Sequence, residues 1–450
     1  MANENPVSKF FGSDYIVFAS YDGVRKIASF VDGLKPTARK VVFTMIDLNL
    51  VSPKKVDSIK AKVSDHTEYL HGQDSIEGVI VNIAQNFTGA CNIPLLKREG
   101  NFGYRLMPDA SASRYIKTAQ EDYLKLIFRR EDDLVIGQQE LEGSLIEPKY
   151  FVPIIPLLLV NGSEGIAVGY AQKILPRDPL KVMEYIFGGM KDESLLMPWY
   201  RGFKGKIIKT DDQSFSIYGC CTNKNTTTYE ITEVPVGYTY NSYMKVLNKL
   251  QESGNIQNFD DYCDLDKDIF KFTIKVKRET HSRLSKLSEI EVLEYFKLVK
   301  RVTENYTCLN ADNQIEVFTS VAEMIKRYSE IRVQAYVTRK EIVQKNMLQK
   351  IKELKSKIIF INAVRKDEID IKTTPKHELI EMLENADDYV EHKGSFDYLL
   401  NMPLWSINDE ALSKALVEVR KLAEEYKVYC NLKISTIWKR EYKELCKKLI

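Results

Sequence analysis

Between Gly254 and Pro375 the chain contains neither glycine nor proline. These are the two residues that most readily interrupt a helix. Toward the end of this stretch Met347, Ile351, Leu354 and Ile358 recur at four-three-four spacing among lysines and glutamates. Leu412, Leu416, Val419, Ala423 and Tyr426 repeat the pattern in a second stretch. Such spacing predicts two separated helices with coiled-coil character. Between them lies SFDYLLNMPLWSIND (395–409), short and rich in aromatic residues. This order fits an antiparallel pair of long helices with a small globular knob at the tip. Two uses are open: a helical hairpin packed on the body, or a dimerisation arm whose contact is Phe396, Tyr398, Leu400, Leu404 and Trp405.

The remaining chain is too long for one simple core; 450 residues point to about two to four domains. Residues 1–120 read mostly as helices with short glycine-marked loops, and Val79–Ile83 carries apolar positions at helix spacing. Residues 150–175 are apolar, proline-punctuated and glycine-rich, which predicts a buried strand and tight turns. From 200 to 280, GKIIKT, SFSIYG, TTYEITEVP and KFTIKVKR alternate as antiparallel strands do. No run of eighteen apolar residues occurs, so no membrane span is expected, and the first residues lack the apolar core of a signal peptide. Seven cysteines, odd in number and without a CxxC pair, predict reduced thiols in a cytosolic setting. The net charge is only +2, so any nucleic-acid contact must come from a local patch. The candidate patch runs from Lys35 to Lys62, where Lys35, Arg39, Lys40, Lys54, Lys55, Lys60 and Lys62 face only Asp47 and Asp57.

Four short motifs follow in order: DGLKPTARK (32–40), YLHGQDS (69–75), EGNFG (99–103) with ASRY (112–115), and PIIPLLLVNGSEGIAVGY (153–170). Singly, each is a turn, a helix start or a chance pair. Together, at these spacings, they resemble the DNA breakage/reunion subunit of type IIA DNA topoisomerases. The likeness covers nearly the whole chain, and EGIAVGY and PLWSIND are nearer the eukaryotic and T-even-phage enzymes than bacterial gyrase. It implies an α+β multidomain fold: a winged-helix DNA gate (1–145), a β-rich tower (146–325) and a coiled-coil C-gate (326–450).

The resemblance also implies a chemistry. Tyr115 is the nucleophile that attacks a backbone phosphorus and holds the break as a phosphotyrosyl ester. Arg114 beside it supplies a planar cation for the phosphate oxygens. Arg39, the arginine of DGLKPxxR, stabilises the phosphate and assists proton removal. His71 hydrogen-bonds near the scissile phosphate; read alone, a histidine at such a loop is a local cap. Lys35, Lys40 and Asn101 are expected DNA contacts, and Ile166 is the apolar wedge that kinks the duplex. Departures stand at Thr37 and Ala38, at Leu70 before the histidine, and at Asp74 and Gly78, which put quinolone sensitivity in doubt.

No EGDSA or ATPase motif occurs; DLDKD (264–268) has the acids of a DxD element but, lying in the β-rich region without a preceding strand-and-Glu signature, reads as a charged loop. The resemblance therefore implies that Mg2+ is held, and ATP used, by a separate Toprim/ATPase polypeptide, as in split enzymes. The expected partners are double-stranded DNA, a second copy of the chain and that polypeptide, with no membrane. The abundant Lys, Asn, Ile and Tyr fit an AT-rich phage genome, hence a host cytoplasm. With no wrapping domain after residue 450, relaxation and decatenation are expected. The rival readings are a silent DNA-architectural dimer of the same fold and a coiled-coil protein scaffold.

Overall fold

The computed structural model describes residues 7–265, 267–371, 373–392, 394–403 and 408–449. By internal contacts the chain forms two units. One runs to Arg332 and takes in residues 441–450; the other is Val333–Arg440.

Five helices lead the first unit: α1 (Val7–Gly12), α2 (Asp14–Lys26), α3 (Pro36–Asp47), α4 (Val56–His66) and α5 (Gln73–Ala84). DGLKP makes the turn into α3. Asp32 Oδ1 accepts from the Leu34 N–H at 2.9 Å, and Pro36 opens the helix with its φ already set. Gly33 has φ +70°, and a Cβ there would lie 2.4 Å from the Leu158 nitrogen, so neither backbone nor space admits a side chain. Helices α3, α4 and α5 pack on one another, with Val41, Val42, Met45, Ile59, Val63, Ile76 and Ile80 fully buried. Beside them, β1 (Lys54–Lys55) pairs antiparallel with β2 (Lys117–Thr118).

The apolar stretch after residue 150 differs from the buried strand expected for it. Leu157–Asn161 is a short helix, stopped by Gly162 at φ +72°, and only then does a hairpin form, Ser163–Ala167 against Tyr170–Ile174. A short apolar run fits buried helix and buried strand equally; the flanking Pro156 and Gly162 decide here. The alternating stretches do form antiparallel strands. One sheet has the order 258–261, 272–275, 228–233, 220–225, another the order 299–303, 214–218, 206–211. Packed with the first is a helix absent from the sequence reading, Tyr240–Glu252. It starts at a Thr239/Ser242 capping box and buries Tyr243 and Leu247 in one cluster with Phe272 and Ile274.

In the second unit, the helix Val321–Arg365 continues past Val333, and Asp409–Asn431 returns antiparallel to it. Lys340 Nζ donates to the carbonyls of Cys430 and Leu432 at 2.8 and 2.7 Å, while Arg365 pairs with Asp409 at 2.7 Å. Ile351 is buried, Met347, Leu354 and Ile358 half-buried, and Leu416 is 40% exposed. A small core joins Phe360, Ile369, Leu379, Leu383, Phe396 and Leu399. This corrects the expected dimer contact at Phe396, which belongs to the core of this unit. Phe396 is only 6% exposed, Leu400 packs on the same core, and Tyr398 donates its hydroxyl to the Val390 carbonyl at 2.7 Å. So small a body must bury its own aromatic residues to hold together. Leu404 and Trp405 lie outside the described residues.

Candidate functional site

Tyr115 stands on a loop whose neighbours point inward. Ser113 is 7% exposed and Ile116 1%, while Tyr115 is 71% exposed and Arg114 is exposed beside it. The clamp comes from the N-terminus of α4. The Asp57 N–H donates to the Ser113 carbonyl at 3.3 Å, and the Val56 N–H to the Ile116 carbonyl at 3.0 Å. Glu77 on α5 reaches the same loop through Ser113. Burial pushes its carboxyl up, but hydrogen bonds from Lys60 and Ser113 outweigh that and hold it below the usual glutamate range. With both sides anchored, the two residues between are turned out. The Arg114 guanidinium lies over the Tyr115 ring at 5.1 Å. The β1–β2 ladder sets Lys54 opposite Thr118 and Lys55 opposite Lys117, so exposed lysines flank the tyrosine loop.

His71 sits just before Gly72, the cap of α5. Its Nε2 is 2.7 Å from the Tyr21 hydroxyl on α2, and the Tyr69 ring meets it edge-on at 5.5 Å. Arg25, one turn along α2 from Tyr21, holds its guanidinium 5.8 Å from the Tyr21 ring centre. The sequence reading missed both Tyr21 and Arg25. Their i, i+4 spacing, which puts them on one helix face, was the available signal.

Three basic residues expected at DNA are turned inward instead. Arg39 is 5% exposed; its Nε donates to Asp32 at 2.7 Å and its Nη2 to Asp32 and the Leu34 carbonyl, both at 3.2 Å. Lys40 Nζ donates to the Thr67 carbonyl at 2.8 Å and the buried Glu147 carboxylate at 2.9 Å. Lys35 Nζ donates to the Glu164 carbonyl at 2.8 Å, and burial holds its ammonium below the usual lysine range against the opposing pull of Glu164. The cause is helix periodicity. Arg39 shares the inward stripe of α3 with Ala38, Val41, Val42 and Met45, and the long side chains of residues 35 and 40 reach neighbouring segments.

Asn101 is exposed and braces the tyrosine loop. Its Oδ1 accepts from the Gly103 N–H at 2.9 Å, and its carbonyl from the Ser111 N–H at 3.0 Å. Ile166 is 73% exposed on the hairpin. Asp22 of α2 ties that hairpin down by accepting from the Val168 N–H at 3.0 Å. Gly165 lets it come close, since a Cβ there would be 2.1 Å from the Lys26 carbonyl oxygen.

Among the described residues no three His, Cys, Asp or Glu side chains converge as a metal ion would require. In the 264–268 stretch, Asp264 pairs with Lys267 at 3.0 Å and Asp268 accepts from the Arg105 N–H at 2.7 Å; Asp266 lies outside the described residues. All seven cysteines are free, and no helix among the described residues is long and apolar enough to cross a membrane.

Residues 25–443 match the family model for the A-type subunit of DNA gyrase and topoisomerase IV. The chain is 30% identical over 449 residues to the mitochondrial DNA topoisomerase 2 of Dictyostelium discoideum, covering 97% of this chain and 34% of that protein. It is 28% identical over 499 residues to DNA topoisomerase 2 of Saccharomyces cerevisiae, covering 98% and 34%. The chain thus spans about a third of the length of these relatives. It also superposes on the crystal structure of the Plasmodium falciparum topoisomerase II DNA-binding, cleavage and re-ligation domain, with a TM-score of 0.83 and 27% identity over 98% of this chain and 64% of that one. A match this long in sequence and in fold leaves one assignment: the chain belongs to the type IIA topoisomerase family typified by the A-type subunit of DNA gyrase and topoisomerase IV.

Proposed function

We propose that this chain cuts and rejoins duplex DNA as the breakage–reunion part of a type IIA topoisomerase. The observation that carries the reading is the exposed Tyr115 under the Arg114 guanidinium, on a loop clamped from both sides. In the proposed step the Tyr115 phenolate attacks a backbone phosphorus. The P–O bond to the 3′ oxygen breaks as the phosphotyrosyl bond forms, and the return attack by that oxygen restores the strand. The two esters are close in energy, so resealing needs no outside fuel. Negative charge gathers on the phosphate oxygens in the transition state, where fixed cations lower the barrier. Arg114 is one such cation. Arg25, exposed and beside the Tyr21 ring, is in this reading the second, with His71 a hydrogen-bond donor. Arg39 then acts from behind, bracing the turn through Asp32.

DNA lies, in this reading, over Lys54, Lys55, Lys117 and Asn101, with Ile166 entering a base step. Lys35 and Lys40 hold the surface together from below. Helices α3–α5 with β1 and β2 serve as a winged-helix gate in residues 1–145, the sheets as a tower in 146–325, and the long helices as a coiled-coil exit gate in 326–450. Two copies set one Tyr115 on each strand. Type II topoisomerases use Mg2+ and ATP; the described residues of this chain offer no cluster that fits a metal ion, and in this reading a Toprim/ATPase polypeptide that works with the chain holds the one and uses the other. Relaxation and decatenation in a phage-infected host cytoplasm are the setting we infer.

The test is to incubate the chain with a Toprim/ATPase partner, Mg2+ and plasmid, then stop with detergent and digest with protease. Linear DNA bearing a protein stub, lost in Tyr115→Phe, is the expected result. Tight, salt-sensitive DNA binding without a stub for any partner would instead establish a silent architectural dimer.

A further inference from the structure

The Tyr21–His71 pair joins two segments fifty residues apart in sequence, at a separation of 2.7 Å between Oη and Nε2. Both groups can donate and both can accept. The imidazole nitrogen is the stronger base of the two, so the phenol donates and Nε2 accepts. A ring nitrogen that accepts fixes the other as the N–H. We propose that Tyr21 is a positioning residue for His71: its hydroxyl holds Nε2, leaving Nδ1–H as the donor that the ring offers to a phosphate oxygen. The inference rests on the reading of His71 as a group at the scissile phosphate.

The surroundings favour a bond kept for orientation. Tyr21 is 50% exposed, so its hydroxyl has water available and does not need His71 for satisfaction. Tyr69 packs its ring edge-on against the imidazole, and its own hydroxyl meets Thr37 Oγ1 at 3.3 Å. The imidazole is therefore held by rings on two segments and pinned at one nitrogen. Arg25 lies over the Tyr21 ring, and Asp74 stands in the first turn of α5. Neither takes the place of Tyr21 at Nε2 among the hydrogen bonds His71 makes.

The test uses chain labelled with 15N-histidine. Long-range proton–nitrogen spectra distinguish the two tautomers, and His71→Ala assigns the signal among five histidines. Wild type should show the Nδ1–H form, and Tyr21→Phe a mixture. In the same variant, with partner and Mg2+, formation of the DNA adduct should slow roughly five- to tenfold, about the worth of one hydrogen bond. DNA affinity should stay within about twofold, and in a His71→Ala background Tyr21→Phe should add nothing. An Nε2–H signal in wild type, or a tautomer untouched by Tyr21→Phe, overturns the proposal. A changed tautomer with cleavage unchanged overturns its catalytic half. If wild type forms no adduct with any partner, the underlying reading fails, and the spectra still decide whether Tyr21 holds His71.

Discussion

Arg39 and Arg25 should fail in opposite ways when truncated. Arg39 is 5% exposed and its partner Asp32 0%, with two side-chain hydrogen bonds between them. Removing one member of a buried pair typically costs 3–5 kcal/mol. Asp32 would keep two donors, the N–H groups of Leu34 and Phe151 at 2.9 and 3.1 Å, so the loss belongs at the low end, about 3 kcal/mol. At about 2 °C per kcal/mol for a body of this size, Arg39→Ala should lower Tm by roughly 6 °C. Arg25 is exposed, and its contact with the half-exposed Tyr21 ring at 5.8 Å is worth about 0.5 kcal/mol. Arg25→Ala should therefore melt within about 1 °C of wild type. If its guanidinium faces the charge that develops on phosphorus, adduct formation should fall about a hundredfold. Calorimetry on the free chain and the detergent-stop assay with partner give the two numbers separately. An Arg39→Ala chain of wild-type stability that no longer cleaves would refute the division of labour, as would an Arg25→Ala chain that cleaves normally.

The remaining predictions concern the hairpin and the tyrosine loop. Ile166→Ala removes a side chain that is 73% exposed, so Tm should hold while bending of a doubly labelled duplex, read by energy transfer, decreases. Gly165→Ala places a methyl 2.1 Å from the Lys26 carbonyl oxygen; the hairpin must shift, at about 1–3 kcal/mol, with weaker DNA bending as a second readout. For Glu77 the sign follows from its lowered folded-state value. Its stabilising effect is complete above the ordinary glutamate value of about 4.3 and is lost as pH falls through the lower folded value. Hydrogen exchange at residues 111–116 should therefore quicken as pH falls below that ordinary value, relative to the intrinsic rate; Glu77→Gln should weaken the dependence and leave the part carried by Asp57, whose carboxyl is also held low by Lys60 and Ser113.

What could be read from the sequence, and what could not, follows from the range of the forces involved. The turn into α3, the helices α4 and α5 and the strands after residue 200 rest on local signals: Asp32 and Pro36 at a helix start, and alternation along a strand. Tyr115 was legible because the small residues Ser111–Ser113 precede it and the motifs come in order. The direction of a side chain was not. Arg39, Lys40 and Lys35 read as a basic patch, and only the packing of α3 shows that three of its charges are turned to Asp32, Glu147 and the Glu164 carbonyl. The charge left at the surface near Tyr115 comes from Arg114, Lys54 and Lys55, with Lys117 exposed but paired to Glu99 at 2.6 Å; the three lysines are brought together by a two-residue ladder that no periodicity announces. Likewise Tyr21 reaches His71 across fifty positions. A site of this kind is assembled by tertiary contacts. Composition and motif locate its nucleophile, but the cations that would tune the reaction are set by which face of each helix the core claims first.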